Sequence, residues 1–574
     1  MKFSLLSQYF KKLEETSSRL DMIAILSDLL RKADPSEIDK VVYLCMAQLK
    51  PPYTGVELGM GEKLIMRSIA MATGKPVEEV SKLYKEIGDL GSVAEKLVTW
   101  QGAGLEVSEV YERLLKIAET SGEGAIKRKV ELLASLIKDC SPLEAVYLVR
   151  FVDGKLRLGA GDATIMEALS LAKTGTRKLK ARIELKYNYC SDLGLVARKF
   201  MEKGISGLEE IKITPGIPVR PALAERLQSP EEIIKKIGKC SVEAKYDGFR
   251  CQVHKDGETV EIFSRRLERT THMFPEIVKG ARKQIAAEQA IIEGEALAYN
   301  EDTGEFYPFQ VTIQRKRKYG VEEMAKEYPL KLFCFDLLYL DGEDYTRKPY
   351  ITRFNKLLEI LREGEVLVPA ERIITDDPKE LHDYFMKLIE RGLEGIVAKR
   401  LNSPYQAGAR NFNWIKLKRS YRGKLADTID VVIIGYFKGR GKRAKFGVGA
   451  LLGAVYDKET DTFKTVAKIG SGLTEEQLTK LNEIFQDIKM DHKPPRVDSL
   501  IEPDVWVQPK LVFTVKADEI TRSPVHTCGK EGDQPGYALR FPRVEGWIRE
   551  DKAPEDATTV KEIIEMYEQQ FVHR

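Results

Sequence analysis

The sequence predicts a multidomain fold: an all-α domain, then an α+β domain, then a small β-barrel domain. Three observations carry this. Residues 1–215 space their apolar side chains by three and four, as in MIAILSDLL, RKVELLASLI and TIMEALSLA, with short Gly and Pro breaks between the runs. From TPGIPVRPALAERL at 214–227 the texture changes to alternating apolar runs with tight-turn signals, so a mixed domain is expected over 216–424. Over 425–574 short strand-like runs such as DTIDVVIIGYF, GALLGAVYD and VWVQPKLVFTVK suit a small barrel, and ATTVKEIIEMYEQQF closes the chain as a helix.

Bulk properties set the limits. A chain of 574 residues with 43% hydrophobic content can bury several cores, and its length suggests roughly three or four domains. The seven cysteines are scattered singly, with no CxxC pair and no Cys/His spacing suited to zinc, so a reducing, cytoplasmic setting is expected. The amino terminus, MKFSLLSQYFKKLEE, breaks into charge too soon for a signal peptide, and no later run is apolar enough to span a bilayer. No membrane partner is expected. The net charge of +4 balances 92 basic against 88 acidic residues, so any basic binding surface must be local. A charged fraction of 31% suits a thermophile.

The helical third contains an internal repeat. YTGVELGMGEKLIMRSIA at 53–70 echoes DGKLRLGAGDATIMEALS at 153–170, with Gly59, Gly61, Ile65 and Met66 recurring at Gly159, Gly161, Ile165 and Met166. Each copy is a GxG turn opening a helix, whose first N–H groups and positive dipole end suit an anion. Two such turns can grip two backbone phosphates. On the residues alone, glycines that merely permit tight helix packing are the weightier reading. The runs Lys127, Arg128, Lys129 and Arg177, Lys178, Lys180 can add phosphate contacts or simply form solvated helix faces.

The mixed domain holds the reactive residue types. FRCQVH, KDG and TVEIFS read as a hairpin. In VEAKYDGFR, alternation puts Glu243 and Lys245 on one strand face before Asp247 and Gly248 turn the chain. A lysine amine is a poor nucleophile when protonated, and nearby cations or partial desolvation favour its neutral form. Lys416 and Lys418 are the candidate cations, since NWIKLKRS projects both from one face while Ile415 and Leu417 take the other; an exposed strand with solvated lysines is the plain alternative. Glu293 and Glu295 in IIEGEALAY share a face, and Glu394 stands where RGLEGIVAKR enters an apolar strand. Such carboxylates suit a magnesium ion that keeps most of its waters, although each taken singly reads equally as a surface residue. GRGKR at 439–443 is not a Walker loop, and six histidines without an HExxH offer no zinc chemistry.

Taken in order, KYDG (245–248), SRR (264–266), EGE (293–295), FCFD (333–336), EGIVAK (394–399), WIKLK (414–418) and REDK (549–552) resemble the motif series of covalent nucleotidyltransferases. TPGIPVRPALAERL, PFQVTIQRKRK at 308–318, LRFPR at 539–543 and PEDATT at 554–559 extend the likeness over nearly the whole chain to ATP-dependent DNA ligases of the archaeal and eukaryotic replicative type. The resemblance implies an all-α DNA-binding domain, a nucleotidyltransferase (adenylation) domain and an OB-fold. It also implies nick sealing in replication, repair and recombination. Lys245 would attack the α-phosphorus of ATP and hold AMP. Glu243 would lie at the adenine edge, Phe335 against the purine, Arg250 and Arg265 near ribose and phosphates, and Lys399 in the same pocket. Glu295 would reach the ribose or metal, and Glu394 the metal, Mg2+ or Mn2+. Lys416 and Lys418 would neutralise the α-phosphate. Arg549 and Lys552 would close over ATP from a mobile barrel. Where many relatives carry another basic residue after LRFPR this chain reads VEGWI, which favours Arg549 and Lys552 over Arg540 and Arg543. The resemblance moves the GxG turns toward minor-groove phosphate contact, largely independent of sequence.

Rival readings fit less well. RNA ligases and GTP-using capping enzymes share the lysine motif but not this repeated helical domain. An NAD-dependent ligase is expected to bring a zinc-binding cysteine set. A non-catalytic nucleic-acid-binding protein with a decayed lysine motif is disfavoured by intact Lys245, Glu295, Glu394, Lys416 and Lys418. A monomer acting on nicked duplex DNA is expected. A sliding clamp is a candidate partner, although WQGAG at 100–104 and EQQF at 568–571 are poor clamp-binding peptides.

Overall fold

The computed structural model describes residues 1–300, 305–307, 309–317, 319–391, 393–418, 428–439 and 445–570. The linker expected near 424, residues 440–443 of GRGKR, Pro308 and Lys318 of PFQVTIQRKRK, and Phe571 of EQQF lie outside these residues.

Thirteen α-helices, from Phe3–Glu15 to Ile205–Glu209, make the amino-terminal third. Apolar residues at helical spacing turn inward to one core containing Leu6, Ile65, Val110, Leu133, Ile165 and Phe200. The sequence repeat is also a structural one. Helices Glu62–Thr73 and Asp162–Thr174 start at Gly61 and Gly161, and stop at left-handed Gly74 and Gly175, whose N–H groups return to Ala70 and Leu171.

Two sheets build the centre. Among the described residues the first runs Leu223–Arg226, Arg410–Lys418, Gly395–Arg400, Cys240–Lys245, Arg372–Thr375. Its inward face carries Val242, Ala244, Ile396, Ala398, Ile415 and Leu417, which pack together and leave Glu243, Lys245, Lys416 and Lys418 on the other face. The second sheet contains the expected hairpin, Phe249–Asp256 with Thr259–Ser264, turned at left-handed Gly257, then Gln289–Asn300 and Leu330–Leu340.

The carboxy-terminal domain is a curled β-structure. Strand Ile429–Lys438 pairs with Val448–Asp457, Val505–Val507 and Val512–Lys516, and breaks in register let the sheet bend around its core. The sequence reading of short strands closed by one helix omits a second helix, Glu475–Ile488. It is opened by a Thr474/Gln477 capping box and covers the sheet with Leu478, Leu481, Phe485 and Ile488. The final helix, Val560–Gln569, starts from a second capping box, Thr559/Glu562. No helix among the described residues is long and apolar enough to cross a membrane.

Candidate active site

A cavity of about 690 Å³ lies between the two central sheets and the β-domain. Lys245 lines it, as do Glu243, Arg250, Arg265, Glu295, Phe335, Glu394, Lys399, Lys416 and Lys418 from the centre and Arg549 and Lys552 from the β-domain. The four repeat glycines lie elsewhere.

One end of the cavity is aromatic. Phe335 and Trp414 meet edge to face at 6.0 Å, and the Lys399 ammonium sits 4.5 and 4.1 Å from their ring centres. Lys399 pairs with Glu243 at 2.6 Å, and the Tyr350 hydroxyl donates to the other Glu243 oxygen. Burial pushes the Glu243 carboxyl up and pulls Lys399 down, while their mutual attraction opposes both shifts. Lys399 therefore belongs to the aromatic end of the site. Arg250 is fixed by Glu293 and by the Ala222 carbonyl at 2.8 Å. Glu293 is only 1% exposed and also accepts from Gln252 and Tyr405. The two glutamates of EGE thus part company: Glu295 lines the cavity and Glu293 positions Arg250.

The other end is crowded with charge. Glu394 bridges Lys245 and Lys418. Burial works to raise its pKa, but the two ammonium groups outweigh burial and hold it well below the usual carboxylate range. The expected pair of cations beside Lys245 is thus divided. Lys418 shares Glu394 with it, whereas Lys416 turns 3.4 Å from Glu562 of the final helix, which also receives Arg410 at 2.7 Å. Burial pulls Lys416 down to about 8 against the attraction of Glu562.

Glu295 is pushed up to about 7 by burial, and Asp247 is raised by burial and by Glu394. Carboxylates shifted in this way inside a cavity lined by cations mark a candidate functional site. Among the described residues no three His, Cys, Asp or Glu side chains group into a cage. Glu295 and Glu394 both line the cavity; two carboxylates suit an ion that keeps most of its waters, and Glu394 would have to release Lys245 or Lys418 to serve it.

The β-domain closes the cavity. Lys552 pairs with Asp430, and Arg549 with Asp551 at 2.8 Å and the Thr514 hydroxyl at 3.2 Å. Arg265 reaches across to Asp556 at 3.7 Å, and Arg266 donates to the Glu550 carbonyl. Arg543 pairs with Asp518 instead.

The GxG turns behave differently from each other. Gly59 and Gly159 are both left-handed, at φ +62° and +71°, so glycine is favoured at each. Space around Gly61 is open, and Lys129 braces that turn by donating to the Leu58 carbonyl at 2.7 Å. The second turn is covered by the β-domain: a Cβ on Gly159 would lie 3.0 Å from Pro495, and one on Gly161 2.5 Å from the Arg496 guanidinium. Arg496 is held by Asp461 at 2.7 Å and Glu555 at 2.8 Å. Asp461 also accepts from Arg19 at 3.2 Å and Thr164 at 3.1 Å of the helical domain.

Sequence reasoning missed Asp247, Asp430, Glu562 and Tyr350. Asp247 stands inside KYDG, and Glu562 is legible as the end of a T-x-x-E capping box. Asp430 and Tyr350 carry no local signal.

A strand-end lysine among cations from several strands, beneath a closing β-domain, defines the site of a nucleotidyltransferase. Models of three domains match in succession: DNA ligase N terminus over 2–170, ATP dependent DNA ligase domain over 221–418, and ATP dependent DNA ligase C terminal region over 444–552. A "Probable DNA ligase" of Dictyoglomus turgidum is 57% identical, covering 99% of this chain and 97% of its own, and "DNA ligase 2" of Thermofilum pendens is 47% identical over 99% and 97%. The chain belongs to the ATP-dependent DNA ligase family. Among solved structures, "mycobacterial DNA ligase D complexed with ATP and MES" is 24% identical with a TM-score of 0.33, covering 59% of this chain and 97% of its own.

Proposed function

We propose that the protein seals nicks in duplex DNA through a lysine adenylate on Lys245. The Lys245 amine attacks the α-phosphorus of ATP, a P–N bond forms, and pyrophosphate leaves. AMP then passes to the 5′-phosphate of a nick, and the adjacent 3′-hydroxyl displaces AMP as the strand is joined. The observation that carries this reading is the position of Lys245 at a strand end, in a cavity whose opposite wall supplies Arg549 and Lys552 from another domain.

Each side chain then has a task. Glu243 meets the adenine edge and Phe335 the purine face. Arg250 and Arg265 serve ribose and phosphates, Lys416 and Lys418 the α-phosphate, and Arg549 and Lys552 the departing pyrophosphate. Transfer of this kind depends on positioning and charge neutralisation. Lys245 must leave Glu394 and lose its proton before it attacks. Glu295 and Glu394 would hold a magnesium ion, which would supply positive charge to the phosphates when bound. We take the domains as 1–215, 216–424 and 425–574, with both GxG turns on DNA phosphates. We further take the protein to be a cytoplasmic monomer, with a sliding clamp as a candidate partner.

Incubation with α-labelled ATP and magnesium should label the protein covalently, and Lys245→Ala should abolish the label. A label that survives the substitution would overturn the assignment.

A further inference from the structure

We propose that Tyr350 is a positioning residue for nucleotide choice, fixing the Glu243 carboxylate so that it favours adenine over 6-oxopurines. The inference rests on the reading that Glu243 meets the purine edge. Tyr350 does not line the cavity; the Lys399 ammonium lies 5.3 Å from its ring, a contact Tyr350→Phe leaves in place, so loss of the hydroxyl reaches the nucleotide through Glu243.

The geometry pins the carboxylate from two sides. Tyr350 donates to Oε1, and Lys399 binds Oε2 at 2.6 Å. Each oxygen accepts two hydrogen bonds, so one site on each stays open, and the ionised group can only accept. Tyr350 is itself immobilised. It is fully buried, its backbone N–H donates to Ser403 at 2.8 Å, and its ring packs on Phe354 at 5.9 Å. Its hydroxyl lies 3.3 Å from the Ser241 Oγ. Burial, followed by the nearby Glu243 charge, keeps the Tyr350 phenol protonated and therefore a donor.

The chemistry follows from what purines present. Adenine offers an amino donor at C6, whereas guanine and hypoxanthine offer an oxygen there and a donor at N1. A fixed acceptor matches the first and opposes the oxygen of the others. A carboxylate free to swing could instead accept from N1–H, and selectivity would fall. Buried polar groups that must be satisfied give discrimination of this kind when their geometry is rigid. The bland alternative is a buried tyrosine whose hydroxyl serves stability alone.

Self-adenylation rates with ATP and with inosine triphosphate separate the two. In Tyr350→Phe the ATP preference should fall by roughly tenfold, through a higher half-saturating ATP concentration rather than a slower maximal rate. Ser241→Ala, which touches the same hydroxyl, should move the ratio the same way by less, and it decides the matter if Tyr350→Phe does not fold. An unchanged ratio in the folded tyrosine variant, or in Ser241→Ala when it stands alone, overturns the proposal. If Glu243→Gln alters the ratio in that case, the purine-edge reading survives without Tyr350. If Glu243→Gln leaves it unaltered, that reading falls as well.

Discussion

Replacing Arg19 by alanine should tighten binding to nicked duplex DNA. Arg19 bonds Glu167 within the helical domain at 2.8 Å and Asp461 of the β-domain at 3.2 Å, and the two side chains of the cross-domain pair are 12% and 3% exposed. Truncation strands no buried charge. Asp461 keeps Arg496 at 2.7 Å, the Tyr456 hydroxyl at 2.8 Å and Thr164 at 3.1 Å, while Glu167 keeps Arg177 at 3.4 Å. The change therefore removes one charge-assisted contact that exists only while the β-domain covers Gly159 and Gly161, a loss of about 1–2 kcal/mol. Where the covered form dominates, the population with the second turn exposed rises about 5- to 30-fold, and apparent affinity rises with it. Fluorescence anisotropy on a labelled nicked duplex measures this, in a Lys245→Ala background to prevent turnover. Salt must be fixed because phosphate contacts are salt-dependent. Unchanged or weaker binding would refute the idea that the β-domain and DNA compete for the second turn.

Two further outcomes follow from the same geometry. Gly61→Ala has open space and an ordinary φ of −84°, so its melting temperature should stay within roughly a few degrees of the parent while nick binding weakens; normal binding would refute phosphate contact at the first turn. Lys416, lowered to about 8 by burial against Glu562, is charged below that pH and neutral above it. The second-order rate of self-adenylation should therefore decline as pH rises through about 8, and Lys416→Arg should remove that limb. Persistence of the limb in the arginine variant would assign it to another group.

Local periodicity explains what was legible. Lys416 and Lys418 share a face because a strand alternates, a property of adjacent residues that requires no knowledge of the rest of the molecule. The paired GxG turns were legible for the same reason, as φ above zero at Gly59 and Gly159 favours glycine. Partners were not. Glu394 could be read as a metal carboxylate, but its bridge between Lys245 and Lys418 depends on three strands meeting in register. Glu293 and Glu295 share a strand face, yet only the packing of Arg250, Gln252 and Tyr405 decides that the first is buried. Glu562 declares itself locally as a cap, while its pairing with Arg410, 152 positions away, depends on how two domains dock. The helix Glu475–Ile488 was within reach of the same periodicity and was hidden by the strands around it.

These pairings bear on how the site passes from one step to the next. Most of its cations are matched within their own domain: Arg250 with Glu293, Lys552 with Asp430, Arg549 with Asp551, and Lys245 and Lys418 with Glu394. Those pairs persist wherever the β-domain stands. Lys416 and Arg410 differ, because their carboxylate arrives on the final helix of the β-domain. Swinging that domain away removes Glu562 from both cations at once, and the loss of these charge-assisted contacts opposes such a movement. The opposition is relieved if another anion has already reached Lys416, and the phosphate of a Lys245 adenylate is such an anion. Opening is then least costly after AMP has been captured, the stage at which the proposed contact of the second GxG turn with DNA would require that turn uncovered.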